Sequence, residues 1–177
     1  NALYYFCKEV FVSNISDSTV RIFADARYKL YINDKLAAVG PCKQTSDVKY
    51  YDAVNITEYL KRGINKIEVQ VLQLSNDLYK SQEGLLVSVI RSGFMTLCIW
   101  GNAGDADLVT DESWHTAKET GIDFFSEPMF GLYKVASLSE NINTEYHKNL
   151  KYENAVKIQD MYALDAENEH CSFIEFP

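Results

Sequence analysis

The chain has 177 residues, 47% of them apolar, with 17 Lys and Arg against 25 Asp and Glu for a net charge of −8. That apolar fraction excludes global disorder, and no apolar run approaches the roughly 20 residues that would span a bilayer. The acidic balance argues against tracking nucleic-acid phosphates, so neither nucleic acid nor a membrane is expected as a partner.

The hydrophobic pattern is mostly period two. Leu3 to Val12 is rich in Tyr, Phe and Val, which fill a half-buried pleated surface. Thr19 to Ala26 sets Val20, Ile22 and Ala24 against Arg21, Phe23 and Asp25, which predicts a second strand. Tyr28 to Asn33 places Tyr28, Leu30 and Ile32 on one face. Asn33-Asp34 then predicts a tight hairpin into Leu36 to Val39, because Asn and Asp tolerate positive φ, and Gly40-Pro41 ends the ribbon.

One helical signal follows. Asn55 is placed to cap a turn with Glu58 reaching back three residues later, and Ile56, Tyr59 and Leu60 share a face. Gly63 supplies a left-handed exit. Ile64 to Leu74 returns to alternation, with Ile67, Val69 and Val71 pointing one way. Leu85 to Ile90 and Met95 to Trp100 are apolar on both faces and predict central strands joined at Ser92-Gly93, which puts Trp100 in the core. Residues 75–84 and 101–107 read as loops by composition.

After Asp111 the pattern thins. Phe130 to Ala136 and Ala155 to Tyr162 are short strand candidates, residues 137–154 are polar with at most a helical turn, and 163–170 are acidic and exposed. The fold class is therefore mainly β, an antiparallel β-sandwich of jelly-roll kind with one or two short helices. Asn1-Ala2 reads as the remnant of an expression tag, 3–162 as the sandwich, and 163–177 as a tail or the start of a linker.

Cys7, Cys42, Cys98 and Cys171 show no C-x-x-C spacing, so a zinc knuckle or redox pair is not indicated. Cys7 and Cys98 lie in apolar runs and read as small buried hydrophobes. Reduced thiols favour a cytoplasmic setting over a periplasmic or secreted one.

Hydrolytic chemistry would need paired carboxylates, and the groupings are Asp105/Asp107, Asp111/Glu112 and Asp165/Glu167/Glu169. With 25 acids in the chain such neighbours are unavoidable, and an acidic loop is ordinarily a solvated one. Asp105 and Asp107, on a Gly-containing loop, are the best metal candidates, as hard oxygen ligands for Ca²⁺, but no complete ligand spacing surrounds them. His115, His147 and His170 form no H-x-x-x-H pair, and no G-x-S-x-G elbow is present. No catalytic residue and no cofactor is assigned.

The aromatics carry more information. Two Trp, 12 Tyr and 9 Phe are more than such a core requires. Tyr50, Tyr51, Tyr79, Trp114, Phe124 and Phe125 fall in or beside predicted loops, where flat rings stack on the apolar faces of sugars. The opposing reading is that strand aromatics bury their area in the core.

The run ADARYKLYINDKLAAVGP, Ala24 to Pro41, followed by YYDAVNITEYLKRGINKIEVQV, Tyr50 to Val71, resembles the N-terminal β-sandwich of bacterial α-L-rhamnosidases, a galactose-binding-domain-like jelly roll. The matching positions are Ala24, Tyr28, Leu30, Tyr31, Asn33, Gly40, Pro41, Thr57, Leu60, Gly63, Asn65, Ile67, Val69 and Val71. TDESW, Thr110 to Trp114, and KYENAVKIQD, Lys151 to Asp160, extend the likeness. Asp34 departs from the family's Gly, Asn55 from its Asp and Tyr152 from its Trp. A similar hairpin and turn also occur in the sugar-binding sandwich of β-galactosidase and β-glucuronidase-type enzymes.

The resemblance implies a glycoside hydrolase whose acidic catalytic residues sit on a separate (α/α)₆ barrel, to which nothing here is similar. It implies an accessory domain without hydrolase activity of its own, partnered by that catalytic domain and by rhamnose-containing glycan. The alternatives are a free-standing carbohydrate-binding module, a structural spacer, and a small enzyme using Asp105, Asp107 or Glu112.

Overall fold

The computed structural model describes residues 2–24, 27–40, 48–73, 97–128, 136–156 and 172–175. The strands are β1 (Ala2–Val12), β2 (Thr19–Ala24), β3 (Arg27–Ile32), β4 (Lys35–Gly40), β5 (Val48–Asn55), β6 (Gly63–Gln73) and β7 (Leu97–Ala103). They continue as β8 (Ala106–Val109), β9 (His115–Lys118), β10 (Ile122–Pro128), β11 (Ala136–Ile142), β12 (Glu153–Asn154) and β13 (Ser172–Glu175). One sheet runs β12-β9-β1-β6-β3-β4, a second runs β13-β5-β2-β7-β8, and β10 pairs with β11 in a two-stranded ribbon. Pairing is antiparallel except between β13 and β5. This is the β-sandwich that the alternation predicts.

The core lies between the two sheets. Ile67, Val69 and Val71 on β6, with Leu30 and Ile32 on β3, meet Val20 and Ile22 on β2 and Ile99 on β7, all fully buried. Each such side chain contributes about 1.5–3 kcal/mol of burial. The partners on the other phase, Lys66 and Glu68 of β6 and Lys29 of β3, face outward as period two requires.

The predicted hairpin forms with positive φ at both Asn33 (52°) and Asp34 (64°), and Leu36 to Val39 lies within β4 as expected. The predicted helix does not form. Thr57–Tyr59 is one 3-10 turn, and Leu60 is already extended. Ile56 and Leu60 still bury themselves in the core, so the apolar face holds while the helix does not. The reason is Asn65, fully buried, whose side chain accepts from Lys61 N and donates to the carbonyls of Lys61 and Gly63. Those bonds satisfy the backbone that another helical turn would have used. Gly63 takes the left-handed conformation, φ 97°, at the mouth of β6.

Other expectations change too. The predicted loop 101–107 is the β7–β8 hairpin, turning at Gly104-Asp105. Strands β9 and β10 and most of β11 replace segments expected to be irregular. Ala155 and Val156 are not in a strand, and Ser172–Glu175, expected in a tail, lies parallel to β5. The candidates at 85–90 and 130–135, and residues 157–171, lie outside the described residues.

Candidate functional site

The two tryptophans exchange their expected places. Ile99 is fully buried between the sheets, so its neighbour Trp100 falls on the outer face of the five-stranded sheet, half-buried. Trp114, a candidate sugar contact, is instead in the core at 1% exposure. The segment Thr110 to Trp114 is built to put it there. Asp111 Oδ1 accepts from Ser113 N (2.9 Å) and from Ser113 Oγ, and Trp114 N donates to Asp111 O (3.2 Å). The indole Nε1 donates to Val109 O over 2.9 Å, and Lys8 Nζ sits 6.0 Å from the ring centroid while pairing with Asp111 at 3.2 Å. A ring enclosed in this way has no face for a sugar.

On the outer face of the five-stranded sheet, register places side chains in rows. Arg21 of β2 lies opposite Ala53 of β5 and Trp100 of β7, and Trp100 lies opposite Val109 of β8. Tyr51, two residues before Ala53, shares that face. Its ring meets the Trp100 ring edge-on, with centroids 5.0 Å apart at 65°. Val109 is 46% exposed and Ala53 is exposed, whereas Phe23, on the same phase of β2, is fully buried. Backbone contact between β2 and β7 is close here: a Cβ on Gly101 would lie 2.2 Å from Thr19 O.

Of the predicted aromatic set, Tyr51 is brought to this face with Trp100. Tyr50 lies on β5 opposite Ile174 of β13, and Phe124 and Phe125 lie on β10 opposite Glu140 and Ser139, in the two-stranded ribbon. Tyr79 lies outside the described residues. Trp100 was missed because an apolar run hides which residues of a strand face outward; the phase set by Ile99 identifies it.

Asp105 and Asp107 sit in different surroundings. The Asp105 carboxylate accepts from Ser13 N (2.9 Å), Asn14 N (3.1 Å) and Ser13 Oγ, closing the β1–β2 loop. The Ser13 hydroxyl, then the Asn14 amide, hold it below the usual carboxylate range. Asp107 is exposed on β8, and among the described residues no three His, Cys, Asp or Glu side chains converge.

A second polar cluster went unseen in the sequence. Glu119, 3% exposed, accepts from Gly121 N (2.8 Å) and Lys148 N (3.1 Å). His147 Nδ1 lies 3.2 Å from its Oε2, within ion-pair reach but off the line of a hydrogen bond. Burial, with the Glu119 and Glu68 carboxylates nearby, pushes the Tyr5 phenol up to about 12. Saturated by backbone amides, Glu119 pins residues 143–148 over β1 and β9. It is a clasp.

Cys7 and Cys98 are free thiols, half-buried rather than buried as the sequence suggests, and both pushed up chiefly by burial; Cys42 and Cys171 lie outside the described residues. Among the described residues no helix is long and apolar enough to cross a membrane.

No protein-family model and no curated protein matches the sequence. Solved structures do. The chain is similar to the GH78 family rhamnosidase of Bacillus sp. GL1, with a TM-score of 0.70 and 19% identity over 99% of this chain and 18% of that one. It is also similar to α-L-rhamnosidases from Dictyoglumus thermophilum (TM-score 0.51, 23% identity, 66% of this chain and 14% of that one) and Aspergillus terreus (0.52, 20%, 69% and 15%). The chain thus spans less than a fifth of the length of these rhamnosidases, and what it shares with them is the β-sandwich fold.

Proposed function

We propose that this chain is a non-catalytic accessory module of a glycoside hydrolase of the α-L-rhamnosidase type, which packs against a catalytic domain and contacts carbohydrate through its Tyr51–Trp100 face. The observation that carries the reading is the fold match across 99% of the chain to a segment making up 18% of a rhamnosidase. The sequence motifs agree with it. Asn33, Asn65 and Trp114 all serve turns or the core, which is what a shared scaffold requires.

The carboxylates support a module without chemistry. Glycoside hydrolysis needs a proton-donating acid whose pKa is raised. Asp105 and Asp111 are both held low, each first by a serine hydroxyl, Ser13 and Ser113 respectively. They are acceptors that shape their loops.

The test pairs turnover with binding. The chain is expected to leave an aryl α-L-rhamnoside unhydrolysed and to bind rhamnose-containing oligosaccharides weakly, in the millimolar class of shallow sites. Amide shifts in an NMR titration should centre on Tyr51 and Trp100. Hydrolysis by the chain alone, lost on Asp105→Asn or Glu112→Gln, would overturn the reading; tight binding to an isolated glycan would favour a free-standing binding module.

A further inference from the structure

We propose that the outer face of the six-stranded sheet carries a second carbohydrate surface, a band between Tyr152 and Tyr31 that takes a neutral oligosaccharide. The inference rests on the carbohydrate reading above but not on the Tyr51–Trp100 face. Register assembles the band. Tyr31 of β3 lies opposite Glu68 of β6, Glu68 opposite Cys7 of β1, and Cys7 opposite His115 of β9, all on the outward phase. The adjoining row is Lys29, Gln70, Tyr5 and Ala117. Glu153 pairs with Thr116, so Tyr152, one residue earlier, falls on the phase of Ala117. Its phenol is raised by burial first, then by the Glu68 carboxylate and Cys7, with Lys66 opposing, which puts it within electrostatic reach of β6.

Both borders of the band meet solvent. Tyr152 is 43% exposed, and on the other side Leu36 and Val39 of β4, in register with Tyr31 and Lys29, are 48% and 64% exposed. Between them the half-buried Glu68 accepts from Gln70 Nε2 (3.1 Å) and pairs with Lys66 (3.0 Å), which also pairs with Asp34 (3.3 Å). A carboxylate has about four acceptor positions, so Glu68 retains places for sugar hydroxyls. Charge selects the occupant. Lys29 and Lys66 offset Asp34 and Glu68, as Arg27 offsets Glu9 farther out, which suits an uncharged saccharide better than an acidic one. Protein interfaces deplete Lys and Glu at their core, where this band concentrates them, so a docked domain fits it poorly. β1 and β3 flank β6 and lie two strand spacings apart, about 10 Å, so the tyrosines contact separate units of one saccharide.

The experiment is an NMR titration of the whole chain with a neutral rhamnose oligosaccharide and, separately, with an oligogalacturonate. The neutral sugar is expected to move the amides of Glu68, Gln70 and Tyr152 as a second set beside those of Tyr51 and Trp100. Tyr152→Ala, a change at an exposed ring, should weaken the binding read by that second set about five- to tenfold, the contribution of one aromatic contact. Tyr152→Phe should keep most of it, and Glu68→Gln should keep more than Glu68→Ala. If shifts are confined to Tyr51 and Trp100 and Tyr152→Ala changes nothing, this surface is wrong while the Tyr51–Trp100 contact stands. Shifts on the Tyr152 band alone would uphold this surface and overturn that contact. Tighter binding of the oligogalacturonate to the band would overturn the neutral class. If neither sugar shifts either face, both readings fall.

Discussion

Asn33 and Asn65 are joined side chain to side chain, Asn33 Nδ2 donating to Asn65 Oδ1 over 2.9 Å. Asn33 also donates to Tyr59 O (2.9 Å) and accepts from Lys66 N (3.2 Å). Asn65 binds both backbone groups of Lys61 and the Gly63 carbonyl. The pair fastens the β3–β4 hairpin to the turn that feeds β6. Two asparagines 32 residues apart thereby set the end of the six-stranded sheet.

Asn65→Ala should therefore destabilise the chain strongly. It leaves part-buried donors and acceptors on Asn33, Lys61 and Gly63 without their side-chain partner and empties a buried site, which together cost about 2–4 kcal/mol. Urea unfolding of Asn33→Ala, Asn65→Ala and the double variant measures the coupling. Additive losses would show that the two side chains act independently.

Asp34 holds φ 64° in the hairpin, where glycine is unstrained. Its 3.3 Å pair with Lys66 is exposed and contributes little. Asp34→Gly is expected to raise stability by about 0.5 kcal/mol, the left-handed strain relieved less the added freedom of the unfolded chain. A lower melting temperature would show that the ion pair outweighs the strain.

The exchange of the tryptophans is directly visible by fluorescence. Trp100→Phe leaves only Trp114, at 1% exposure, whose emission should be blue-shifted and resist acrylamide. Trp114→Phe leaves the half-buried Trp100, which should be quenched readily. Trp114→Ala empties core volume and loses the bond to Val109 O, a cost of about 3–5 kcal/mol in unfolding free energy.

Stability should fall at both ends of the pH range. Tyr5 ionises near 12 when folded but near its ordinary value of about 10 when unfolded, so its contribution is complete below pH ~10 and is lost above it. Tyr5→Phe should flatten that alkaline limb. Asp105 and Asp111 are held low in the folded chain, so their contribution is present above their unfolded pKa of about 4 and disappears as pH falls through the folded value. Urea midpoints across the pH range, with Asp105→Asn and Asp111→Asn compared, would show a weaker acid dependence in each variant; an unchanged acid limb would contradict the assignment.

By itself the sequence determined strands β1 to β4 and β6, the Asn33-Asp34 hairpin and the inward set Ile67, Val69 and Val71, but not β5. Those follow from local physics: period-two burial and the tolerance of Asn and Asp for positive φ. Tertiary structure decided what long-range contact controls. The helix at 57–60 stopped after one turn because Asn65 claimed its backbone, and β9 was invisible because it draws its pairing from β1, distant in sequence. The tryptophans exchanged places because an apolar strand does not announce its outward face, and because a five-residue turn can carry a loop tryptophan into the core. The same phase brought Arg21 beside Trp100. Register, which composition cannot supply, made that surface.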